Sequence, residues 1–273
     1  MNASAKISEQ MRRVAARSTR EIMRRRGTDL GMYMGCGFPK SGTVWLCQLL
    51  GTALGVPYPR EYRSPIAMAS VIHTHWRYDA KYPATAYIRR DGRDVMLSLY
   101  FYYVRALDHP GKPSRARNLR EMFEHMYGPG FDATAVRENL PKFIETQMRS
   151  PRGSEGLAWH QHVSDWWQRP GVAHVSYEEL LADPVPAVMR LTNELTGSAD
   201  DNIARLAAER WSFATAAQRK PGQEDRSSFM RKGVAGDWSN YFSREAGEVF
   251  DSFAGAELVE FGYASDRDWY LNL

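Results

Sequence analysis

The segment Gly37-Phe-Pro-Lys-Ser-Gly-Thr43 constrains this chain more than any other feature, because it joins a strand pattern to a helix pattern with nothing in between. Before it, GMYMGCGF (31–38) is a short apolar run that reads as a buried strand. Directly after it, SGTVWLCQLLGTAL (41–54) reads as a helix that opens out of the loop itself. That order makes an anion cradle. The unsatisfied N–H groups at a helix start and the helix dipole favour negative charge, and Gly42 lets the backbone approach a ligand closely. The hydroxyls of Ser41 and Thr43 add donors, and Lys40 is placed to reach over the far end of the anion. In the nucleotide-triphosphate loop GxxxxGK[ST] the lysine follows the last glycine. Here Lys40 comes two residues before Gly42, so the phosphate ligand is one that wants its lysine elsewhere.

The same alternation continues along the chain. SVIHTHW (70–76), ATAYIRR (84–90) and VAHVSY (172–177) read as strands. DVMLSLYFYYVRA (94–106) and EELLADPVPAVMRLTNELTG (178–197) read as helices, the second broken near its start by Pro184 and Pro186. Short apolar runs alternating with longer helical ones predict an α/β fold, a single domain with a central parallel β-sheet flanked by helices, of the P-loop nucleotide-binding kind. Two stretches resist the scheme. Residues 106–130, rich in Pro, Gly and Arg, are expected to form a long surface excursion or a lid, and residues 218–240, poor in apolar side chains, a functional loop. Residues 1–30 are expected to be a basic helical extension docked through Met11, Val14, Ala15 and Ile22, with the domain proper spanning 31–273.

Composition limits the partners. A net charge of +4 suits an anionic small ligand at least as well as nucleic acid. No run of about 18 apolar residues is present to span a membrane. No apolar secretory stretch opens the sequence, so a cytoplasmic location is expected. Cys36 and Cys47 flank the loop without metal-ligand spacing and read as packing residues.

Two further clusters point to phosphate. Arg90 closes a strand and Ser98 follows two turns into the next helix, so a guanidinium fork and a hydroxyl converge at the strand's C-terminal edge. Arg93 and Asp94 read as an exposed pair at the start of that helix. Arg231, Lys232 and Gly233 form a compact cationic turn that either closes over the same phosphate or is simply solvated. A nucleotide kinase needs Mg²⁺ held in part by an acidic residue at a neighbouring strand end. The two candidate strands end instead in His75 and in Arg89 and Arg90, so a ligand met by lysine, arginine and histidine is the better inference.

Together these segments resemble the cytosolic-type sulfotransferases, which transfer a sulfuryl group from 3′-phosphoadenosine 5′-phosphosulfate (PAPS) to a hydroxyl or amine. The family's YPKSGTTW is present as FPKSGTVW, its Arg followed eight residues later by Ser is Arg90 and Ser98, and its RKGxxGDW is intact from Arg231 to Trp238. The resemblance runs from about residue 31 to residue 265, with the motifs in order.

The resemblance implies roles residue by residue. Lys40 would contact the oxygen bridging phosphate and sulfate and stabilise charge on the leaving nucleotide. Ser41, Gly42 and Thr43 would hold the 5′-phosphate, with Val44 standing where the family has a second threonine. Trp45 would stack on the adenine with Tyr177 and Phe213 nearby, although Trp45 and Phe213 read equally well as core. Arg90, Ser98, Arg231, Lys232 and Gly233 would hold the 3′-phosphate. The family's KTH is His73-Thr74-His75 here, which puts His75 in the general-base position and replaces the preceding lysine by His73. The donor would be PAPS and the product 3′-phosphoadenosine 5′-phosphate (PAP), with no metal, no nucleic-acid partner and a small-molecule acceptor carrying a phenol, alcohol or amine. Trp76, Tyr102, Tyr127, Trp159 and His162 are the candidates for the acceptor pocket, and all but His162 read also as helix core. The family's dimer motif has decayed to Ser239, Ser243, Arg244 and Glu248, so a homodimer cannot be assumed. The rival readings are a Mg²⁺-dependent P-loop kinase and a non-enzymatic nucleic-acid-binding module that uses the basic N-terminal arm.

Overall fold

The computed structural model describes residues 3–60, 64–107, 113–228 and 230–273, with side chains described from residue 10 onward. They fall into two compact units, one made of the chain up to Arg89 together with Asp165–Gln218, the other of Arg90–Ser164 together with Arg219–Leu273.

The first unit holds a four-stranded, all-parallel sheet. Its strands are β1 (Met32–Gly37), β2 (Ser70–Thr74), β3 (Thr85–Arg89) and β4 (Val172–Ser176), in the spatial order β2-β1-β3-β4. The expected α/β class with a central parallel sheet is therefore present, and the structural likenesses described below bear out its P-loop-like character. Parallel strands buried on both faces lose the polar alternation of half-exposed ones, which is why β1 reads as a continuous apolar run. The helices α2 (Thr43–Ala53), α8 (Pro184–Thr196) and α9 (Asp201–Arg210) contribute Leu46, Leu49, Leu50, Val188, Leu191 and Ala207 to a core that includes Val71, Ile88 and Val175 of the sheet. Gly35 has to be glycine there, since a Cβ would lie 2.3 Å from the sulfur of Cys47. The expected break before Pro184 is real: α7 (Tyr177–Ala182) ends and α8 begins with Asp183 between them, its side chain accepting from the Val185 N–H.

The N-terminal helix α1 (Ala3–Arg26) packs in this unit through a face that shares Ala15, but not Met11 or Val14, with the one expected. Ala15, Thr19 and Met23 are buried, whereas Met11 and Val14 are exposed and Ile22 is only half-buried. The Thr19 hydroxyl accepts the Ile66 N–H, and Arg24 pairs with Asp79 at 2.7 Å. The apolar spacing points to a neighbouring stripe because a threonine, not an aliphatic residue, sits at the centre of the buried one.

The second unit is helical. It contains α3 (Gly92–Ala106), α4 (Pro113–Tyr127), α5 (Val136–Arg149), most of α6 (Trp159–Trp166), the 3₁₀ turn Asp237–Asn240 and α11 (Arg244–Glu260). Phe123, Phe143, Trp159, Phe242 and Phe250 are fully buried in it. Of residues 106–130, expected to form a surface excursion or a lid, 108–112 lie outside the described residues and most of the others form α4, which buries Leu119, Met122 and Phe123. Those three fall at helical spacing, but the surrounding Pro, Gly and Arg had masked it. The described residues of 218–240 do lack regular structure apart from the 3₁₀ turn, as expected. The short α10 (Phe213–Ala217) precedes them in the first unit.

Candidate functional site

In the first unit the loop between β1 and α2 is built on two residues with positive φ. Lys40 has φ 75° and Gly42 φ 96°, and the Ser41 N–H donates to the Phe38 carbonyl at 3.0 Å to close the turn. A Cβ on Gly42 would lie 2.8 Å from Cδ2 of Tyr177, so both the conformation and the space demand glycine. Gly42 is also the N-cap of α2 and so offers it no side-chain cap. Ser41 and Thr43 are 0% and 3% exposed, and the hydroxyl oxygens of both lack a hydrogen-bond partner among the described residues. Burying an unsatisfied hydroxyl costs about 1–3 kcal/mol. Two of them beside an uncapped helix N-terminus are a donor set that fits a phosphate.

Trp45 and Tyr177 meet edge to face, with ring centroids 5.7 Å apart, and both pack against the sheet core. Tyr177 is held in place by a capping box: Ser176 and Glu179 exchange hydrogen bonds at 3.0 and 2.7 Å across the first turn of α7. Phe213 and Val44 are half-buried in the same unit, and Trp45 combines core contact with partial exposure.

His75 follows β2 directly and is half-buried, with Nδ1 2.5 Å from the Gly37 carbonyl. Burial pushes its pKa down and nearby Lys40 adds to this, against the opposing pull of the Gly37 carbonyl. His73 stands edge-on to it at 4.7 Å, and burial pushes the His73 pKa down to about 3, helped by His75 and Arg60. Both rings are therefore neutral near pH 7. Trp76 turns its carbonyl to the Trp166 indole N–H at 2.9 Å and its ring to Tyr82 at 5.8 Å and the Arg20 guanidinium at 5.1 Å.

The second unit gathers the other two clusters. Arg90 and Asp94 form an i,i+4 pair at 3.3 Å, and Arg90 also donates to the Val234 carbonyl. Arg231 and Lys232 both pair with the buried carboxylate of Asp237 at 2.5 Å, and Arg231 also pairs with Glu224 and lies 4.5 Å over the Phe101 ring. Gly233 has φ 67°, and Ser98 is half-buried on α3. The cationic turn is thus neither solvated nor loose, since its charges are tied to carboxylates of the same unit.

Arg93 and Asp94 are not an exposed helix-start pair. They are 5% and 1% exposed. Arg93 chelates Asp91, donates to the Tyr263 carbonyl and lies over the rings of Trp238 and Trp269. Asp94 accepts from the Gly236 and Trp238 N–H groups. These carboxylates were missed because a charged pair at a helix start usually faces water; the available signal was the Arg-x-x-x-Asp spacing and the Asp inside RKGxxGDW.

Of the acceptor-pocket candidates in this unit, Trp159 and His162 are fully buried. Trp159 donates to the Arg90 carbonyl and packs on Phe250 and Phe261, which makes it core. Tyr127 donates to the Asn139 carbonyl and packs on Phe123 and Phe131, while half-buried Tyr102 lies under Arg115 at 4.7 Å.

A family model described as a sulfotransferase domain matches residues 55–262, which begins after the phosphate-loop segment and includes the Arg90 and Arg231 clusters. Sulfotransferase 1E1 of Homo sapiens is 24% identical over 277 residues, covering 82% of this chain and 82% of that protein. Sulfotransferase 1 family member D1 of Mus musculus is 23% identical over 262 residues, covering 78% and 79%. Among solved structures, a mouse sulfotransferase complexed with PAP superposes with a TM-score of 0.60 at 21% identity, covering 89% of this chain and 90% of that one. Retinol dehydratase in complex with androsterone and PAP superposes with a TM-score of 0.55 at 14% identity, covering 89% and 85%. These likenesses show a shared fold.

Proposed function

Because the chain belongs to the sulfotransferase domain family, we propose that it transfers a sulfuryl group from PAPS to a hydroxyl or amine of a small-molecule acceptor and releases PAP. The observation that carries this reading is the pair of buried, unpartnered hydroxyls of Ser41 and Thr43 at the uncapped start of α2. The PAP in the two solved relatives' complexes supports it. PAPS supplies the activated sulfuryl group, and every other task falls to side chains of this chain.

The α2 N-terminus, with Ser41, Gly42 and Thr43, holds the 5′-phosphate. Arg90, Ser98, Arg231, Lys232 and Gly233 hold the 3′-phosphate, which sets the nucleotide apart from ATP. Trp45, Tyr177 and Phe213 offer aromatic surface to the adenine. His75 is neutral, its Nδ1–H engaged by Gly37, and accepts the acceptor's proton at Nε2. Lys40 keeps a fixed positive charge beside the loop, where negative charge builds as the nucleotide leaves. The acceptor is met by aromatic side chains that keep some exposure, as Trp76 and Tyr102 each do in their own unit and the buried Trp159 and His162 do not.

The test is calorimetric titration with PAP and with ATP, each with and without Mg²⁺. Tight, metal-independent binding of PAP with much weaker ATP binding is the expected result. A preference for ATP with Mg²⁺ would move the protein to the kinase class.

A further inference from the structure

The Asp94 carboxylate, 1% exposed near the start of α3, is the common point of three contacts. Its Oδ2 accepts the Gly236 N–H at 2.8 Å and an Arg90 guanidinium N–H at 3.3 Å, and its Oδ1 accepts the Trp238 N–H at 3.0 Å. The two main-chain donors flank Asp237. A carboxylate that grips the backbone on both sides of residue 237 fixes where that residue's own carboxylate points, and Asp237 in turn holds Arg231 and Lys232. Arg90 closes the circuit by donating to the Val234 carbonyl at 3.1 Å. One buried acid thus orders a strand-end arginine and a cationic turn more than 130 residues further along the chain.

We propose that Asp94 is a positioning residue that pre-forms the 3′-phosphate site, aligning Arg90, Arg231 and Lys232 before the nucleotide arrives. The proposal rests on the reading of those cations given above. A buried carboxylate beside an anion site opposes binding by its charge, so its retention there makes sense only if the order it imposes outweighs that repulsion. Without it, each cation would have to be immobilised by the ligand itself, and long cationic side chains lose more rotamer freedom when fixed than most others do.

The test compares Asp94→Asn with Asp251→Asn. Asp251 is a second buried carboxylate of the same unit, which pairs with Arg267 and accepts from the Trp269 indole but makes no contact with the Arg231 turn among the described interactions. Calorimetry with PAP and with adenosine 5′-monophosphate separates the 3′-phosphate from the rest of the nucleotide. Asp94→Asn should weaken PAP binding by about 10- to 100-fold, the size expected from disturbing hydrogen bonds to charged groups, and leave the monophosphate within about twofold. Asp251→Asn should leave the ratio of the two affinities unchanged. Equal weakening of both nucleotides by Asp94→Asn, or tighter PAP binding, would overturn the proposal. Hydrogen exchange on the unmodified protein decides the matter if the variant does not fold. The Gly236 and Trp238 amides should be protected with no nucleotide present, and free exchange there would show that the site is not pre-formed. Wild-type protein that binds neither nucleotide would instead remove the functional reading and this proposal with it.

Discussion

The imidazole of His75 donates from Nδ1 to the Gly37 carbonyl at 2.5 Å, and this one contact joins the candidate base to the start of the phosphate loop. A carbonyl only accepts, so the bond fixes the proton on Nδ1 and makes Nε2 the basic nitrogen of the neutral ring. β1 and β2 pair in register up to Cys36 opposite Thr74, so Gly37 and His75 emerge side by side from adjacent parallel strands. Sheet register, not a flexible side chain, sets the relation between base and loop.

The pH profile of turnover follows from that contact. Burial holds the His75 pKa below its ordinary 6.5, and Lys40 reinforces the shift. We expect kcat/KM to be level through pH 7 and to fall on an acid limb whose midpoint lies below 6.5. His75→Gln should lower kcat by about 10²- to 10⁴-fold while leaving PAP affinity near wild type. An acid limb centred at or above 6.5, or a variant with nearly wild-type kcat, would remove His75 from the role of base.

Stability should respond to acid through the same pair of rings. The folded-state pKa of His73 is depressed to about 3 from 6.5, so between those values the unfolded chain binds a proton that the folded chain refuses. The unfolding free energy therefore rises with pH across that window: it is complete above 6.5 and is lost as pH falls toward 3. His75, His160 and His174 are depressed in the same direction and add to the trend. Urea midpoints measured at pH 7.5, 6 and 5 should decline for the wild type and decline less for His73→Gln. Parallel declines would mean that the His73 ring titrates normally.

Gly42→Ala isolates the strain of the loop. The residue has φ 96°, and the added methyl would sit 2.8 Å from the Tyr177 ring. Gly55 also has positive φ but has nothing within 4 Å of where a Cβ would go, so Gly55→Ala carries the backbone penalty alone. A forced left-handed alanine costs about 1–3 kcal/mol. Gly42→Ala should exceed Gly55→Ala in its loss of unfolding free energy and should also weaken PAP binding, because Tyr177 must move. Equal losses in the two variants, with PAP binding intact, would show that the Tyr177 contact is not a constraint.

The parts of this molecule that were legible in the sequence are those where a local pattern and a global role coincide. The strand and helix around Gly42 could be read because a Gly-rich turn between two apolar runs has few other solutions, and the break at Asp183 because proline forbids a continuous helix there. α4 was hidden because its three buried residues are diluted by arginines, and the docked face of α1 because a buried threonine looks polar. The burial of Asp94 and Asp237 was not legible for a deeper reason. An acid is buried only when distant partners satisfy it, and the partners of Asp94 lie 142 and 144 positions away. No window along the chain contains that information.

The Arg93 cluster gives the sharpest test of the second unit. Arg93 donates from Nε and Nη2 to Asp91 at distances down to 2.7 Å and lies 3.8 Å and 4.7 Å from the ring centroids of Trp238 and Trp269. Burial already pushes the Asp91 pKa up, with Arg93 holding it back. Arg93→Leu would strip a buried carboxylate of its cation, a change that typically costs about 3–5 kcal/mol. Asp91 would then take up a proton in the folded state at a pH where the unfolded chain has released it. Because the folded state binds the extra proton, stability falls as pH rises, so the deficit of Arg93→Leu should be larger at pH 8 than at pH 5. The double variant Asp91→Asn, Arg93→Leu should recover part of the loss and show little of this pH dependence. Guanidinium titrations of the three proteins at the two pH values would decide it. A single variant whose deficit is the same at both pH values would show that Asp91 stays charged without Arg93, and that the aromatic contacts rather than the ion pair account for the stability Arg93 confers.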